Sequence, residues 1–381
     1  MIPLSNIIAR FGADYLAQYP KAALPSQRHA MQAIAHCRTS ASPHMLAQCE
    51  GCHTQRLLPH SCGHRSCPHC QHFEGQRWIE QQSQRLVAGP YFLITFTVPA
   101  QLRALVWAHQ RQAYGALMDC AWQTLRAFSK QHRHLQGTPG AVAVLHTHSR
   151  QLEFHPHVHM LMPAAALDDK QRLWRTLPTS HKGPGYLFNH QALAKVFMGK
   201  LMQAMRSLGL AVPSDVAAQL PTKWVVDVKG VGDGRGALVY LGKYLYRGVI
   251  QDKDIIACKD GMVTYRWRES QSGQIMHRTV SGAHFLKLVL QHVLPKGLRR
   301  SRNYGFLHPN SKRLISLLKL LVFKPAQPPA SAPSTASPPA TRAPWKCAGC
   351  GGCMRVVSRR LRDLVGAMTA ATASNINTSD G

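Results

Sequence analysis

The sequence predicts an α+β protein in which an antiparallel sheet with flanking helices follows a small cysteine-rich domain. Two observations indicate this class. Short runs of β-branched and aromatic residues recur between stretches with helical periodicity, and cysteines and histidines are concentrated within residues 26–89. The length of 381 residues is sufficient for two or three domains, each with its own core.

The elements follow one another from the N-terminus. Residues 1–16 should form an amphipathic helix, and the cysteine-rich domain, 1–89, should end in a second helix. Further elements are expected in the order strand 91–99, helix 102–135, strands 141–148 and 153–163, helix 191–208, strand 223–230, and hairpin strands 262–270 and 274–280. Four residues, 149–152, connect the strands 141–148 and 153–163, and so short a connection predicts a β-hairpin.

The C-terminal part of the chain changes composition twice. A core domain at 90–250 is followed by a basic extension at 251–324, in which residues 296–324 contain eight Lys and Arg and no acidic residue. Residues 325–346 are rich in Pro, Ala and Ser and are expected to form a linker. We expect the tail, 347–381, to be largely disordered. It contains three closely spaced thiols without an evident fourth ligand, so that a zinc knuckle and a flexible end both stay open: Cys347, Cys350 and Cys353.

The charge balance restricts the class of partner. The chain has 46 Lys and Arg against 17 Asp and Glu, a formal net charge of +29. Such an excess repels itself unless it binds an anion, and nucleic acid is the natural polyanion because each neutralised phosphate releases a counterion. A membrane surface is the alternative. It is disfavoured because no basic amphipathic helix or lipidation signal supports it. The longest apolar run, 314–323, is interrupted by Lys319 and is too short to span a bilayer.

The eleven cysteines indicate metal binding. The first sixteen residues lack the basic and apolar regions of a signal peptide. We therefore expect a cytoplasmic protein, and in that reducing compartment cysteines are better explained as metal ligands than as disulfides.

Two Cys-x2-Cys pairs, Cys49/Cys52 and Cys67/Cys70, are separated by fourteen residues. Each such turn directs two thiolates to one centre, and two turns complete a tetrahedral zinc site. The pairs therefore predict a small zinc-ribbon-like domain with one structural zinc. Three further residues could form a second zinc site with a neighbouring histidine: Cys37, His44 and Cys62.

A histidine-rich strand is the next candidate site. Alternation along a strand places His155, His157 and His159 on one face, while Val158 and Met160 turn toward the core. Two histidines of the preceding strand also share one face: His146 and His148. An isolated His-x-His is more typical of an ordinary strand, but this density and the tyrosines described next favour a metal site. Imidazoles suit manganese or zinc, whereas magnesium prefers oxygen ligands.

A helix opened and closed by glycine carries paired tyrosines. Its apolar face is formed by three leucines at helical spacing: Leu238, Leu241 and Leu245. Tyr240 and Tyr244 lie one turn apart on the opposite side, flanked by Lys243 and Arg247. These cations would favour the phenolate, the form in which a tyrosine is a good nucleophile. Packing alone would be the ordinary reading of such a pair, but the neighbouring histidine strand favours catalysis.

Together these segments resemble the HUH transposases of rolling-circle bacterial insertion sequences, in which a single-stranded DNA nuclease domain follows an N-terminal zinc-binding domain. The resemblance covers roughly residues 25–320 and rests on the following segments in this order: SCGHRSCPHC, YFLITFTVP, AVLHTHS, HPHVHML, YLGKYLYRGVI, VLPKG and YGFLH.

The resemblance implies an antiparallel-sheet HUH nuclease core with metal-dependent endonuclease and strand-transfer activity. His157 and His159 would hold a catalytic Mg or Mn ion, and Tyr240 and Tyr244 would act in turn as nucleophiles, each forming a 5′-phosphotyrosine link. The motif does not fix the third metal ligand. Three histidines are candidates, of which the first is favoured: His155, His146 and His148.

The implied partners are single-stranded DNA at the ends of a mobile element and target DNA, without a small-molecule substrate, in association with the bacterial nucleoid. The candidates for DNA contacts are basic residues: Arg56, Arg65, Arg77, Arg247, Lys296, Arg299 and Arg300. Five tryptophans are possible base-stacking residues: Trp78, Trp107, Trp174, Trp224 and Trp267. The absence of a GxxxxGK[ST] phosphate loop fits a transesterification, which conserves the phosphodiester energy and needs no ATP.

Two alternative functions share part of this pattern. A plasmid replication initiator or conjugative relaxase would use the same histidine and tyrosine chemistry. A non-catalytic, zinc-dependent DNA-binding regulator would need the cysteines and the basic charge alone.

Overall fold

The computed structural model describes residues 2–168, 170–171, 173–177, 187–246, 248–269, 272–322 and 345–361. These residues form an α+β fold built on antiparallel sheets, which confirms the predicted fold class. In the part of the chain that the structure describes, no helix is long and apolar enough to cross a membrane.

The helices are distributed over the whole described chain. Their bounds are α1 Leu4–Gln18, α2 Pro25–Ala35, α3 His72–Ser83, α4 Arg103–Ala108, α5 Gln110–Gln131, α6 His190–Ser207, α7 Ser214–Ala218, α8 Arg235–Tyr246, α9 Gly282–Leu290 and α10 Lys312–Val322.

Within the described residues the strands form three sheets. Their bounds are β1 His44–Cys49, β2 Gln55–Pro59, β3 Tyr91–Thr97, β4 Thr138–His148, β5 Phe154–Pro163, β6 Ala165–Asp168, β7 Leu173–Thr176, β8 Val226–Gly230, β9 Ile255–Lys259, β10 Met262–Arg268, β11 Ile275–Ser281, β12 Ser301–Gly305, β13 Trp345–Lys346 and β14 Cys353–Leu361.

The largest sheet has the strand order β7-β6-β4-β5-β3-β8, and β12 pairs with β4 beside β6. The predicted hairpin is present as β4 and β5, and its register sets His146 opposite His157 and Val144 opposite His159. Directly paired residues of antiparallel strands project to the same face. The histidines of both strands therefore point to one side of the sheet.

The two faces of this sheet have different partners. Val158 and Met160 belong to the main core, where the sheet packs against α5 and α6. Leu161 packs on the opposite face with the leucines of α8. Since strand residues alternate, His157 and His159 also lie on the side that faces α8.

Helix α8 is held against α3 by close backbone approach. A side chain on Gly242 would overlap Ile79, and a Cβ on Gly75 would lie 2.9 Å from the Cβ of Tyr246. Glycine at these two points lets the helices approach closely. The predicted apolar face of α8, formed by Leu238, Leu241 and Leu245, packs on the sheet.

The N-terminal helices share a core with the basic extension. Helices α1 and α2 pack with the three-stranded sheet β11-β10-β9 and with α9. Large members of this core are Ile7, Phe11, Tyr265 and Phe285. Helices α1 and α2 therefore form one packed unit with β9, β10, β11 and α9, although the two groups lie far apart in the sequence.

A four-stranded sheet joins the two ends of the chain in the order β13-β14-β1-β2. The expectation of a largely disordered tail is therefore wrong for residues 347–361, of which Cys353–Leu361 form β14 and pair with β1. The last two residues of the expected linker, Trp345–Lys346, form β13 and pair with β14. The expected linker up to residue 344 and the tail from residue 362 onward lie outside the described residues.

Candidate active site

Three histidines converge on the face of the central sheet that packs against α8. The imidazoles of His146, His157 and His159 each present a nitrogen, and these nitrogens all lie within 4.8 Å of one another. The ring centroids are 4.2 Å apart for His146 and His159 and 5.1 Å apart for His146 and His157. The β4–β5 register produces this triangle, because it sets one histidine of β4 beside two of β5.

The hydrogen bonds of two of these rings orient their remaining nitrogens. Nδ1 of His159 lies 2.9 Å from the Thr95 hydroxyl on the neighbouring strand β3. Nδ1 of His157 donates to the His155 carbonyl at 2.6 Å. Both histidines are thereby left with Nε2 for a ligand, and metal-binding histidines usually have their other nitrogen held in this way.

His146 is the residue that points most directly to an ion. Its side chain is 1% exposed, and neither of its ring nitrogens has a hydrogen-bond partner among the described residues. A buried imidazole without a partner is costly, and such groups are rare in folded proteins. A divalent ion held by the three rings would satisfy one of these two nitrogens.

The protonation states suit metal binding. Burial is the main cause that lowers the pKa of His157 to about 4 and that of His159 to about 3. Burial and the neighbouring imidazoles also place the pKa of His146 well below its ordinary value. All three rings are therefore neutral near pH 7 and keep a lone pair for a metal ion.

The structure brings His146 into the histidine cluster as the third member, and not the favoured candidate His155. Arg103 donates to Nδ1 of His155 at 2.6 Å, and His155 is outside the histidine cluster. His148 is also outside it, because Nδ1 of His148 contacts the Tyr244 hydroxyl. Strand alternation groups residues of one strand, but the register between β4 and β5 selects His146.

The two tyrosines of α8 face this cluster in different environments. Tyr240 is 49% exposed, and its ring centroid lies 6.0 Å from that of His159 and 6.2 Å from that of His146. Tyr244 is stacked on His146, and its hydroxyl lies 2.7 Å from Nδ1 of His148. Burial raises the pKa of both phenols above the ordinary value. Tyr240 is thus accessible, whereas Tyr244 is held.

Arg300 supports the tyrosine helix. Its guanidinium lies 5.1 Å from the ring centroid of Tyr244 and donates to the carbonyls of Leu145 on β4 and Leu245 on α8. The positive charge partly offsets the effect of burial on the pKa of Tyr244. Arg300 is therefore a positioning residue in this structure, and the prediction that it contacts DNA is not supported.

The prediction that Arg65 contacts DNA is also not supported by the structure. Its guanidinium donates to the carbonyls of Leu294, Pro295 and Leu298 at 2.8–2.9 Å, so that it connects the cysteine-rich segment to the C-terminal part of the fold. Four of the predicted DNA-contact residues are exposed, as such contacts require: Arg56, Arg77, Lys296 and Arg299. Arg247 lies outside the described residues.

A basic cleft of about 600 Å³ opens beside the tyrosines. Tyr240, Tyr244 and the exposed Lys243 form one side, and strand β10 forms the other with Trp267. The other cations of its lining are Arg150, Lys253, Arg266 and Arg268. Sequence reasoning named Trp267 as a stacking candidate but missed the cleft. The signal was the alternation of arginine and aromatic residues in the segment YRWR.

The cysteines form two clusters that differ from the predicted zinc site. Cys67 and Cys70 join two cysteines that were predicted for a second site: Cys37 and Cys62. Within this cluster the Sγ atoms of Cys37 and Cys70 are 3.3 Å apart. The predicted set of Cys49, Cys52, Cys67 and Cys70 is therefore wrong in this structure, and His44 belongs to neither cluster.

The geometry of the β1–β2 hairpin explains this difference. Cys49 and Cys52 lie at its turn, whereas Cys37, Cys62, Cys67 and Cys70 lie near its open end. Five residues of strand separate the two ends by about 17 Å at roughly 3.4 Å per residue. One ion cannot bridge that distance, and Cys49 and Cys52 are instead grouped with Cys347 and Cys350.

Comparison with known proteins identifies two matching regions. Residues 140–314 match a family described as "Putative transposase", and residues 7–98 match a family described as "Transposase zinc-binding domain". The first cysteine cluster lies wholly within the second of these regions, which supports structural zinc there.

Two curated relatives are similar over most of the chain. A protein of Sinorhizobium fredii named "Putative transposase y4qJ" is 31% identical over 323 residues, which cover 80% of each chain. The transposase for insertion sequence element IS801 of Pseudomonas savastanoi pv. phaseolicola is 28% identical over 71% of this chain and 65% of its own length. No solved structure matches significantly.

Proposed function

The chain belongs to the IS91 family of transposases, and we propose that it nicks and rejoins single-stranded DNA through a tyrosine nucleophile beside a metal ion on His146, His157 and His159. The observation that carries this proposal is the convergence of two tyrosines on a histidine triangle whose most buried member, His146, has no hydrogen-bond partner among the described residues.

The donor set fits a catalytic divalent ion. Three neutral imidazoles on fixed strands leave coordination positions for substrate oxygen, and nitrogen donors favour manganese over magnesium. When bound, such an ion polarises the scissile phosphate and stabilises the charge that develops on it. Thr95 and the His155 carbonyl orient the imidazoles of His159 and His157 toward the ion site.

Tyr240 is the proposed nucleophile of the first cleavage. Its ring is half exposed beside the histidine triangle and opens onto the basic cleft. Tyr244 is restrained by His148 and Arg300. It would therefore act in a second step, after the site rearranges and releases its hydroxyl. Two tyrosines one helical turn apart could then form links to two DNA ends in succession.

The chemical step is balanced without a further reactant. The phenolic oxygen of Tyr240 forms a bond to phosphorus, and the bond from phosphorus to the 3′ oxygen of the preceding nucleotide breaks. The phenolic proton ends on that oxygen, which leaves as a free 3′ hydroxyl. The phosphotyrosine conserves the bond energy, and attack by a 3′ hydroxyl reverses the step and joins a new pair of strands.

The basic cleft is the proposed path of the DNA strand. Lys243, Lys253 and Arg268 are exposed along it, and Trp267 offers a ring for base stacking. Arg266 is paired with Asp254 at 3.3 Å, so that it is the least available of the cations. A cleft that combines cations with aromatic rings binds single strands with little dependence on sequence.

A covalent-adduct assay tests the proposal. Purified protein is mixed with Mn²⁺ and single-stranded oligonucleotides that carry the terminal sequences of the mobile element, and denaturing electrophoresis detects protein joined to DNA. We expect an adduct that is lost in the Tyr240→Phe/Tyr244→Phe double variant. Tyr246→Phe is the matched control, because Tyr246 lies on the same helix but packs against α3. Tight DNA binding without an adduct would contradict the proposal and favour a regulator.

A further inference from the structure

Four thiols from opposite ends of the chain meet at the turn of the β1–β2 hairpin. Sγ of Cys350 lies 3.4 Å from Sγ of both Cys49 and Cys52, and Sγ of Cys52 lies 3.6 Å from that of Cys347. A tetrahedral zinc with bonds of about 2.3 Å places its sulfurs about 3.8 Å apart. A disulfide would need about 2.05 Å. The spacing is therefore that of a metal site.

The two cysteine turns have the same backbone conformation. In the first, the amide of Cys49 donates to the Thr54 carbonyl, and the amide of His53 donates to the Cys49 carbonyl. In the second, the amide of Cys347 donates to the Gly352 carbonyl, and the amide of Gly351 donates to the Cys347 carbonyl. The bonded residues are thus five and four positions after the first cysteine in both turns.

The fourth residue after the first cysteine has a positive φ in both turns, 58° at His53 and 71° at Gly351. For His53 this conformation is unusual, since only glycine adopts it readily. Gly352 adds a steric requirement, because a Cβ there would lie 3.2 Å from Sγ of Cys49. Two matched turns that face each other are the arrangement of a structural zinc ribbon.

The sheet around this cluster has only a small apolar core to stabilise it. Strand β14 pairs with β1 from Cys49 opposite Met354 to His44 opposite Leu361. The buried residues between the strands are two cysteines, Ala47 and Met354, with Leu58 partly buried beside them. So small an apolar core is below what an independent unit needs without a metal or a disulfide.

We infer that the two ends of the chain share a second structural zinc ion, bound by Cys49, Cys52, Cys347 and Cys350, which fixes residues 345–361 onto the N-terminal hairpin. Cys347 and Cys350 lie outside both family matches, 7–98 and 140–314. The site is independent of the tyrosine chemistry.

Zinc content gives the first test. We expect the full chain to contain one more zinc than the Cys347→Ser/Cys350→Ser variant, measured by elemental analysis of protein purified without chelator. Cys353→Ser is the matched control, because this third tail cysteine is exposed and lies outside the cluster. It should keep the full zinc content. Equal zinc in the full chain and the double variant would overturn the inference.

Fragment retention gives the second test, and it does not depend on how well the double variant folds. A specific protease site is placed within residues 325–344 of the full chain, and the zinc-loaded protein is cleaved there. We expect the C-terminal fragment to co-elute with the rest on gel filtration and to separate when a zinc chelator is added. Separation before chelation, or retention after complete removal of zinc, would overturn the inference.

Discussion

Replacing His146 by leucine should stabilise the protein before Mn²⁺ is added and abolish its response to Mn²⁺. The imidazole is 1% exposed, and neither nitrogen has a partner among the described residues. A buried polar group without a partner costs about 1–3 kcal/mol. The lost stacking on Tyr244 costs about 0.5–1.5 kcal/mol in the opposite direction. The net gain in the free energy of unfolding is therefore on the order of 1 kcal/mol.

Adding Mn²⁺ should reverse the order of stability of wild type and His146→Leu. Wild-type protein with Mn²⁺ at a hundred times its dissociation constant gains about 2.7 kcal/mol, because the ion binds the folded state. His146→Leu leaves two ligands and should lose most of this gain. The variant is thus more stable than wild type before Mn²⁺ is added and less stable afterwards.

Urea denaturation of zinc-loaded protein, followed by tryptophan fluorescence with and without Mn²⁺, measures both differences. His155→Leu is the matched control, because His155 lies on the same strand face but bonds to Arg103. It should keep the Mn²⁺ response. A full response in His146→Leu together with a lost response in His155→Leu would refute the assignment of the third ligand.

Three further perturbations test the helix, its support and the cleft. Gly242→Ala would overlap α3 and should cost about 1–3 kcal/mol of unfolding free energy, whereas Gly236→Ala in the same helix meets nothing within 4 Å and should stabilise by about 0.4–1 kcal/mol; thermal unfolding distinguishes them. Arg300→Met removes charge-assisted hydrogen bonds worth about 1.5–3 kcal/mol. Since Arg300 also contacts Tyr244, the substitution should lower adduct formation in a Tyr240→Phe background, where the adduct depends on Tyr244. Arg268→Ala should weaken binding of single strands and reduce the slope of log K against log salt by about 0.7, as measured by fluorescence anisotropy.

Each of these has an outcome that contradicts it. Equal stability of the two glycine variants would mean that α8 does not approach α3 as described. Unchanged adduct formation in the Arg300→Met background would remove its positioning role, with the exposed neighbour Arg299→Ala as the control for lost charge. An unchanged salt slope in Arg268→Ala would exclude the cleft as the path of the strand.

Local patterns in the sequence predicted the elements that position the site. Alternation along β5 set His157 and His159 on one face, and helical spacing set Tyr240 and Tyr244 away from the leucines of α8. Both patterns depend on the geometry of a single element, which the residues of that element determine. The third histidine could not be chosen in this way, because the register of β4 against β5 brings His146 rather than His155 into the cluster.

The cysteine pairing was mispredicted for a related reason. Cys49 and Cys52 are near Cys67 and Cys70 in the sequence, and their spacing alone is compatible with one zinc site. The hairpin between them separates the pairs, and the partners of the first pair lie 295 and 301 residues further along the chain. Nothing local to the tail indicates where β14 pairs.

The arginines show that charge counts do not distinguish surface contacts from internal support. Arg65 and Arg300 are drawn into the fold by backbone carbonyls, whereas Arg299 beside Arg300 is exposed. A sequence shows the charge of a side chain but not the carbonyl groups that the fold leaves without partners.

The central claim is tested most directly by locating the covalent bond. A single-stranded oligonucleotide labelled at its 3′ end is reacted with the protein and Mn²⁺, and the adduct is digested and sequenced by mass spectrometry. We predict a nucleotide joined through its 5′ phosphate to the peptide that contains Tyr240, with Tyr244 used when Tyr240 is phenylalanine, and release of the upstream fragment with a free 3′ hydroxyl. Attachment through a 3′ phosphate, or to a residue outside α8, would contradict the account.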